Sequence, residues 1–222
     1  MKNLISPSLI CGDLINLENQ IKEFENLGCE MIHIDIIDGR FSPDMPLGIG
    51  TVKNLRKCTD LIFDVHLMSV DNEPYIDLLI DAGANRICFH TEYAQRPNIL
   101  LRKIKAAGIK CGIAISPETT VDSLKHILPL CDFVLIMRID PGYAHLAGQG
   151  VYNFTDNKIS DIRKMYPNLE IEVDGRVGFE ETKHLLKLGC NTFVSGSKGF
   201  FCKENSKKEN LKKLEKILKE KK

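Results

Sequence analysis

No excess of either charge marks this sequence: 30 Lys and Arg stand against 30 Asp and Glu in 222 residues. A formal charge of zero removes the electrostatic basis for binding nucleic acid or an anionic membrane with the whole surface. No apolar run approaches the ~18 residues of a membrane span, and the opening MKNLISPSLICGDL lacks the basic segment, apolar run and cleavage site of a secretory signal. A cytoplasmic protein acting on a small molecule is the expectation. The eight cysteines are scattered, with no Cys-x-x-Cys, and read as small hydrophobes in a reducing compartment rather than as disulfides or a thiolate zinc site. Gly-x-Ser-x-Gly, Gly-x-x-x-x-Gly-Lys and Gly-x-Gly-x-x-Gly are all absent, which disfavours acyl transfer, nucleotide hydrolysis and hydride transfer. A Schiff-base aldolase needs a lysine at a strand end, and Lys110 and Lys198 are poorly placed for it.

Eight short β-rich runs are present: 4–9, 31–38, 61–68, 86–92, 110–116, 133–139, 169–175 and 192–197. Helical periodicity fills 17–28, 74–84, 99–108 and 179–189, and Gly28, Gly83, Gly108 and Gly189 close these segments. Strands alternating with helices predict right-handed βαβ units and a parallel sheet, and the chain has length for eight such units. The expected fold is a single α/β domain over 1–222, a (β/α)8 TIM barrel. An open doubly wound sheet would carry a glycine-rich turn after its first strand, where SPSLICGDL stands instead. Residues 203–222, with nine Lys and four Glu, are expected to form a last helix with Leu211, Leu214, Ile217 and Leu218 on its inner stripe.

In a parallel barrel the chemistry collects at the C-terminal strand ends. Here these ends read His33-Ile34-Asp35, Asp64-Val65-His66, His90-Thr91-Glu92 and Glu172-Val173-Asp174. Residues two apart on a strand share a face, so His33 and Asp35 project together into the barrel. Burying so many ionisable groups is costly unless a cation compensates, and no lysine lies at those ends. Two imidazoles and two carboxylates, His33, Asp35, His66 and Asp174, suit one divalent metal ion: Zn, Fe, Mn or Co. Glycine-bearing loops follow the sixth, seventh and eighth strands, where this fold often cradles a phosphate on bare amides near the start of a short helix. The chemistry left open is metal-assisted proton abstraction or carbon–carbon cleavage on a phosphorylated small molecule.

SPSL at 6–9, HIDIIDGRF at 33–41, DVHLM at 64–68, FHTE at 89–92, DPGYA with GQ over 140–149, EVDG at 172–175 and SGS at 195–197 resemble the ribulose-phosphate 3-epimerase family. SPSLICGDL and the aspartate of DPGYA are similar to the branch acting on allulose 6-phosphate. The resemblance implies that His33, Asp35, His66 and Asp174 hold the metal, with Asp35 and Asp174 doubling as the two acid/base groups. It implies that Ser8 contacts the sugar, that Gly142, Gly175, Gly196 and Ser197 take the phosphate, and that no organic cofactor is used. His66 faces substrate as well as metal, and Met68 and Met137 either wall the intermediate or only pack the core. The implied reaction is C3 inversion through a cis-enediolate, on D-allulose 6-phosphate or D-ribulose 5-phosphate. A decarboxylase or lyase on the same barrel, or a silent sugar-phosphate binding module, is the alternative. The expected partners are the ketose phosphate and further copies of the chain in a homo-oligomer, with no nucleic acid and no membrane.

Three features depart from the family pattern. Arg176 replaces a glycine after EVDG and either adds a charged contact to the phosphate or closes the cradle. His145, Leu146 and Ala147 lengthen the 143–149 loop, a candidate lid that would reshape the pocket. Arg138 stands where a small polar residue is usual; facing inward it would alter substrate choice, and turned to the rim it would not.

Overall fold

The computed structural model describes residues 1–143 and 150–220. Eight parallel strands, β1 Leu4–Pro7, β2 Met31–Ile37, β3 Ile62–Met68, β4 Arg86–His90, β5 Lys110–Ile115, β6 Phe133–Met137, β7 Glu170–Asp174 and β8 Thr192–Ser195, pair in the order β1-β8-β7-β6-β5-β4-β3-β2. A parallel bridge between Ser8 and His33 brings the end of β1 beside β2 and closes the ring into the expected TIM barrel. All eight expected runs form strands. All but the third are trimmed at the C-terminal end, where the chain turns into the loops of the mouth; β3 instead starts one residue late, at Ile62.

Helices α1 Leu17–Leu27, α2 Ile49–Leu55, α3 Asn72–Asp81, α4 Pro97–Ala106, α5 Thr155–Met165, α6 Phe179–Leu188 and α7 Lys207–Lys219 surround the barrel. Gly28 and Gly189 close α1 and α6 in the left-handed conformation, as their positions predict. The fifth unit differs: two short 3-10 turns, Val121–Leu124 and Leu128–Leu130, stand between β5 and β6 among the described residues. Pro129 falls within the second of these turns, where its missing N–H and ring oppose an α-helix. The last helix begins at Lys207 rather than at residue 203, because Ser206 caps it. Its hydroxyl accepts from the Glu209 amide, and the Glu209 carboxylate accepts from the Ser206 amide. Leu211 and Leu214 are buried as expected. The apolar core lies between barrel and helices, built from outward-facing strand residues such as Ile34, Val65, Phe89 and Ile171 against the inner helix stripes. No helix among the described residues is long and apolar enough to cross a membrane, and none of the eight cysteines forms a disulfide.

Candidate active site

Strand alternation builds the site in layers. Register places His33 opposite Asp64 and Asp35 opposite His66 on β2 and β3, and Met137 opposite Asp174 on β6 and β7. In the deeper layer Arg86, the first residue of β4, points inward and donates to Asp64 Oδ1 at 3.0 Å, Glu170 Oε1 at 2.5 Å and Glu172 Oε2 at 2.6 Å. Its guanidinium rests on the Phe133 ring, 4.1 Å from the centroid. Asp64 in turn sits 3.0 Å from His33 Nδ1. Arg86 therefore partly compensates the carboxylates of this layer, and of His33, Asp64 and Glu172, close enough together to suggest a second cation site, the two acids already share a guanidinium. Burial, helped by Asp64 and opposed by Arg86, still pushes the Glu172 carboxyl up to about 8.

Among the described residues the upper layer pairs its carboxylates with imidazoles and not with arginine or lysine. His33 Nε2 lies 3.3 Å from Asp35 Oδ1 and 4.0 Å from Asp174 Oδ2, and His66 Nδ1 lies 3.2 Å from Asp35 Oδ1. One donor atom from each of His33, Asp35, His66 and Asp174 falls within 4.8 Å of the others. His33 Nε2 is buried and makes no hydrogen bond. An unpartnered imidazole nitrogen facing two carboxylates is costly in itself and is what a divalent cation would satisfy, so these four residues fit the expected ion. The electrostatics of these side chains agree. Burial opposes charging His33, yet Asp35, Asp64 and Glu172 outweigh it and hold the imidazole well above its ordinary value. Asp35 is depressed despite burial, through His33 and His66, whereas Asp174 is raised by burial and by Asp35.

Above this layer opens a cavity of about 640 Å³, lined by every residue expected to meet substrate except His66, which is wholly buried beneath it: Ser8, Met68, Met137, Gly142, Gly175, Arg176, Gly196 and Ser197. Met68 and Met137 are buried as well as lining, so they serve both as wall and as core. The Ser8 hydroxyl lies 3.4 Å from Asp35 Oδ2, within reach of both that carboxylate and the cavity. Gly175 has φ 112, and a Cβ there would come within 3.0 Å of the Ile139 amide, so only glycine leaves this backbone bare. The expected short helix after β8 is instead a turn, in which the Gly199 and Phe201 amides both donate to Gly196 O. Among the lining residues not expected to meet substrate are Cys11, which follows the SPSL motif at the mouth, and Lys198, which reaches the cavity from beyond β8.

The departures resolve in part. Arg176 adopts φ 53, the one non-glycine residue with positive φ among the described residues, and its exposed side chain lines the cavity edge. Arg138 faces neither the pocket nor the rim. Two residues from the outward-facing Ile136, it lies buried under the helix layer, 3.7 Å from Asp156 of α5, which His184 of α6 contacts at 2.7 Å. His145, Leu146 and Ala147 lie outside the described residues.

Comparison with known proteins follows the same line. Residues 4–200 match the profile of the Ribulose-phosphate 3 epimerase family. The chain is 35% identical over 211 residues to ribulose-phosphate 3-epimerase of Eremothecium gossypii, covering 90% of this chain and 87% of that one. It is 36% identical over 207 residues to the chloroplastic ribulose-5-phosphate-3-epimerase of Arabidopsis thaliana, covering 90% and 73%. Among solved structures, orotidine 5'-monophosphate decarboxylase of Sulfolobus solfataricus superposes with a TM-score of 0.69 at 13% identity, over 98% of both chains, a likeness of fold alone. With the family matched from the first strand to the turn after the eighth, and its relatives alike over most of their length, the chain belongs to the ribulose-phosphate 3-epimerase family and is a carbohydrate isomerase.

Proposed function

We propose that this protein inverts C3 of a ketose phosphate through a cis-enediolate, with D-ribulose 5-phosphate as substrate. The observation that carries the reading is the convergence of His33, Asp35, His66 and Asp174 beneath a cavity whose other end is bare glycine backbone. These four residues would hold a divalent ion, which would supply Lewis acidity toward negative charge developing on the substrate oxygens. Asp35 and Asp174 stand on strands separated by β8 and β1, so they meet a bound sugar from different sides. One carboxylate takes the C3 proton and the other returns a proton to the opposite face. Backbone at Gly142, Gly175, Gly196 and Ser197 holds the phosphate, with Arg176 and Lys198 adding charge at the cavity edge. Relatives named for ribulose phosphate favour the pentulose; SPSLICGDL and Asp140 favour D-allulose 6-phosphate as the second reading.

The test is exchange of C3–H with solvent deuterium, followed by NMR, over a panel containing both ketose phosphates. Ribulose 5-phosphate should exchange and epimerise fastest. Chelator treatment should lower the rate at least tenfold, and Zn, Fe, Mn or Co should restore it. A protein that exchanges no ketose phosphate overturns the assignment, and exchange indifferent to chelation overturns the metal.

Arg176 supports a second, smaller prediction. Arg176→Ala should raise KM for the phosphorylated ketose roughly fivefold with kcat nearly unchanged, the sign of a charge contact made equally in ground and transition states. A fall in KM would mean instead that the side chain obstructs the cradle.

A further inference from the structure

His90 closes β4, and Glu92 follows it in the 3-10 turn Thr91–Tyr93, with the same polar character as the four cluster residues, yet neither belongs to that cluster. Each imidazole of the cluster turns one nitrogen toward Asp35 and uses the other elsewhere. For His33 the other partner is Asp64, a carboxylate that accepts without ambiguity. For His66 it is a second imidazole: His66 Nε2 lies 2.9 Å from His90 Nε2, with both rings wholly buried. His90 Nδ1 then lies 3.2 Å from Glu92 Oε2.

We infer that His90 and Glu92 are positioning residues that fix the tautomer of His66, so that its Nδ1 presents a lone pair to the ion. This rests on the reading of His66 as a metal ligand. Two imidazole nitrogens 2.9 Å apart share one proton, and which ring carries it is decided at the far end of the chain. Glu92 accepts only, and the Ser116 hydroxyl, 3.4 Å from the same nitrogen, can accept as well, so the His90 proton sits on Nδ1 and its Nε2 is a lone pair. His66 must then donate from Nε2, which frees Nδ1 on the side of Asp35, 3.2 Å away. The reverse arrangement would place a proton on His66 Nδ1 and bar it from ligation. A metal-bound histidine commonly depends on such an outer partner for its orientation.

Glu92 is itself held in place. Its Oε1 accepts from the Ser116 amide at 2.7 Å and from the Thr119 hydroxyl, both in the loop after β5. Lys158 of α5 grips that loop from the other side, donating to the carbonyls of Ser116, Pro117 and Thr119. Phe41 covers His90, ring centroids 4.9 Å apart, so the chain of hydrogen bonds runs between packed groups.

Two measurements test the inference. The first is Co2+ affinity of the chelator-stripped full-length protein, read from its visible absorption in competition with a chromogenic chelator, for wild type, Glu92→Gln and His90→Gln. The amide that Glu92→Gln introduces can donate to His90 Nδ1 and so permits the reversed tautomer. Both variants should lose 10- to 100-fold in Co2+ affinity. The second is a long-range 1H–15N spectrum of the Zn2+-loaded wild type, which needs no variant to fold and should show the proton on Nε2 of His66 and on Nδ1 of His90. Variants that bind Co2+ as tightly as wild type, or a His90 protonated at Nε2, overturn the positioning role while leaving the metal site standing. A wild type that binds no Co2+ overturns both this role and the metal reading.

Discussion

Asp35→Asn and Asp174→Asn should each lower epimerase turnover by on the order of 10²–10⁴-fold, because in the proposed mechanism each removes one of the two groups that move the C3 proton. Asparagine keeps the shape and one oxygen of each side chain, so a folded, inactive protein is the expected product. The two variants should nevertheless part company in stability, measured by urea denaturation of the metal-free proteins. Asp35 is depressed by His33 and His66 against the cost of burial. Its folded-state value lies below its unfolded one, so its ionised form stabilises the fold above the ordinary aspartate range, near 3.9, and this is lost as pH falls. Asp174 is raised, first by burial and then by Asp35. Its contribution has the opposite sign: stability declines as pH climbs from the ordinary range toward the raised value, since the folded protein holds a proton that the unfolded chain releases. Asp35→Asn should therefore destabilise the metal-free protein at neutral pH, and Asp174→Asn should leave it unchanged or more stable. Near-native turnover in either variant would end the paired-carboxylate assignment. Equal destabilisation of both would show that the two acids do not sit in the unlike environments described.

The eight strands were legible because a parallel barrel buries both strand faces and leaves apolar β-branched runs between polar loops. The cluster was legible because His33-x-Asp35 has the two-residue spacing of one strand face. The same parity was available, and unused, for two residues. Arg86 lies two and four residues before Cys88 and His90, which fixes it on the inner face, yet an arginine opening a strand reads as a surface residue. Arg138 shares the outer parity of Val134 and Ile136, which excludes the pocket. Helices α2 and α5 were missed for different reasons. Seven residues hold fewer than two turns of pattern, and α5 sets Lys158 among its buried residues, so its inner stripe is not wholly apolar. Cys11 and Lys198 reach the cavity through loop conformation, for which sequence periodicity has no signal.

Arg86 carries the other large effect. Arg86→Met should destabilise the protein by about 3–5 kcal/mol, the range for removing one partner of a buried ion pair. The guanidinium spans β3 and β7 in one plane, meeting Asp64, Glu170 and Glu172, and a planar fork of five donors does this where a single ammonium would not. Arg86→Lys should therefore recover only part of the loss. Methionine fills much of the volume over Phe133 but takes the guanidinium from Asp64 and Glu172 and leaves Glu170 with Lys110, 3.6 Å away. The shortfall should depend on pH in a definite sense. Glu172 is held at about 8 with Arg86 acting against burial and Asp64, so deleting the arginine drives it higher. Between the unfolded value of an ordinary glutamate and the folded value, stability falls with rising pH. In the wild type that decline ends near 8, and in Arg86→Met it continues beyond. The stability gap, read from urea midpoints, should thus widen between pH 8 and pH 9.5. Adding Glu172→Gln to Arg86→Met should restore more than the two single effects would sum to, as expected for groups in contact. A gap that stays constant with pH, or a double variant that is merely additive, would mean that Arg86 stabilises the barrel through packing on Phe133 and not by compensating the acids beneath His33.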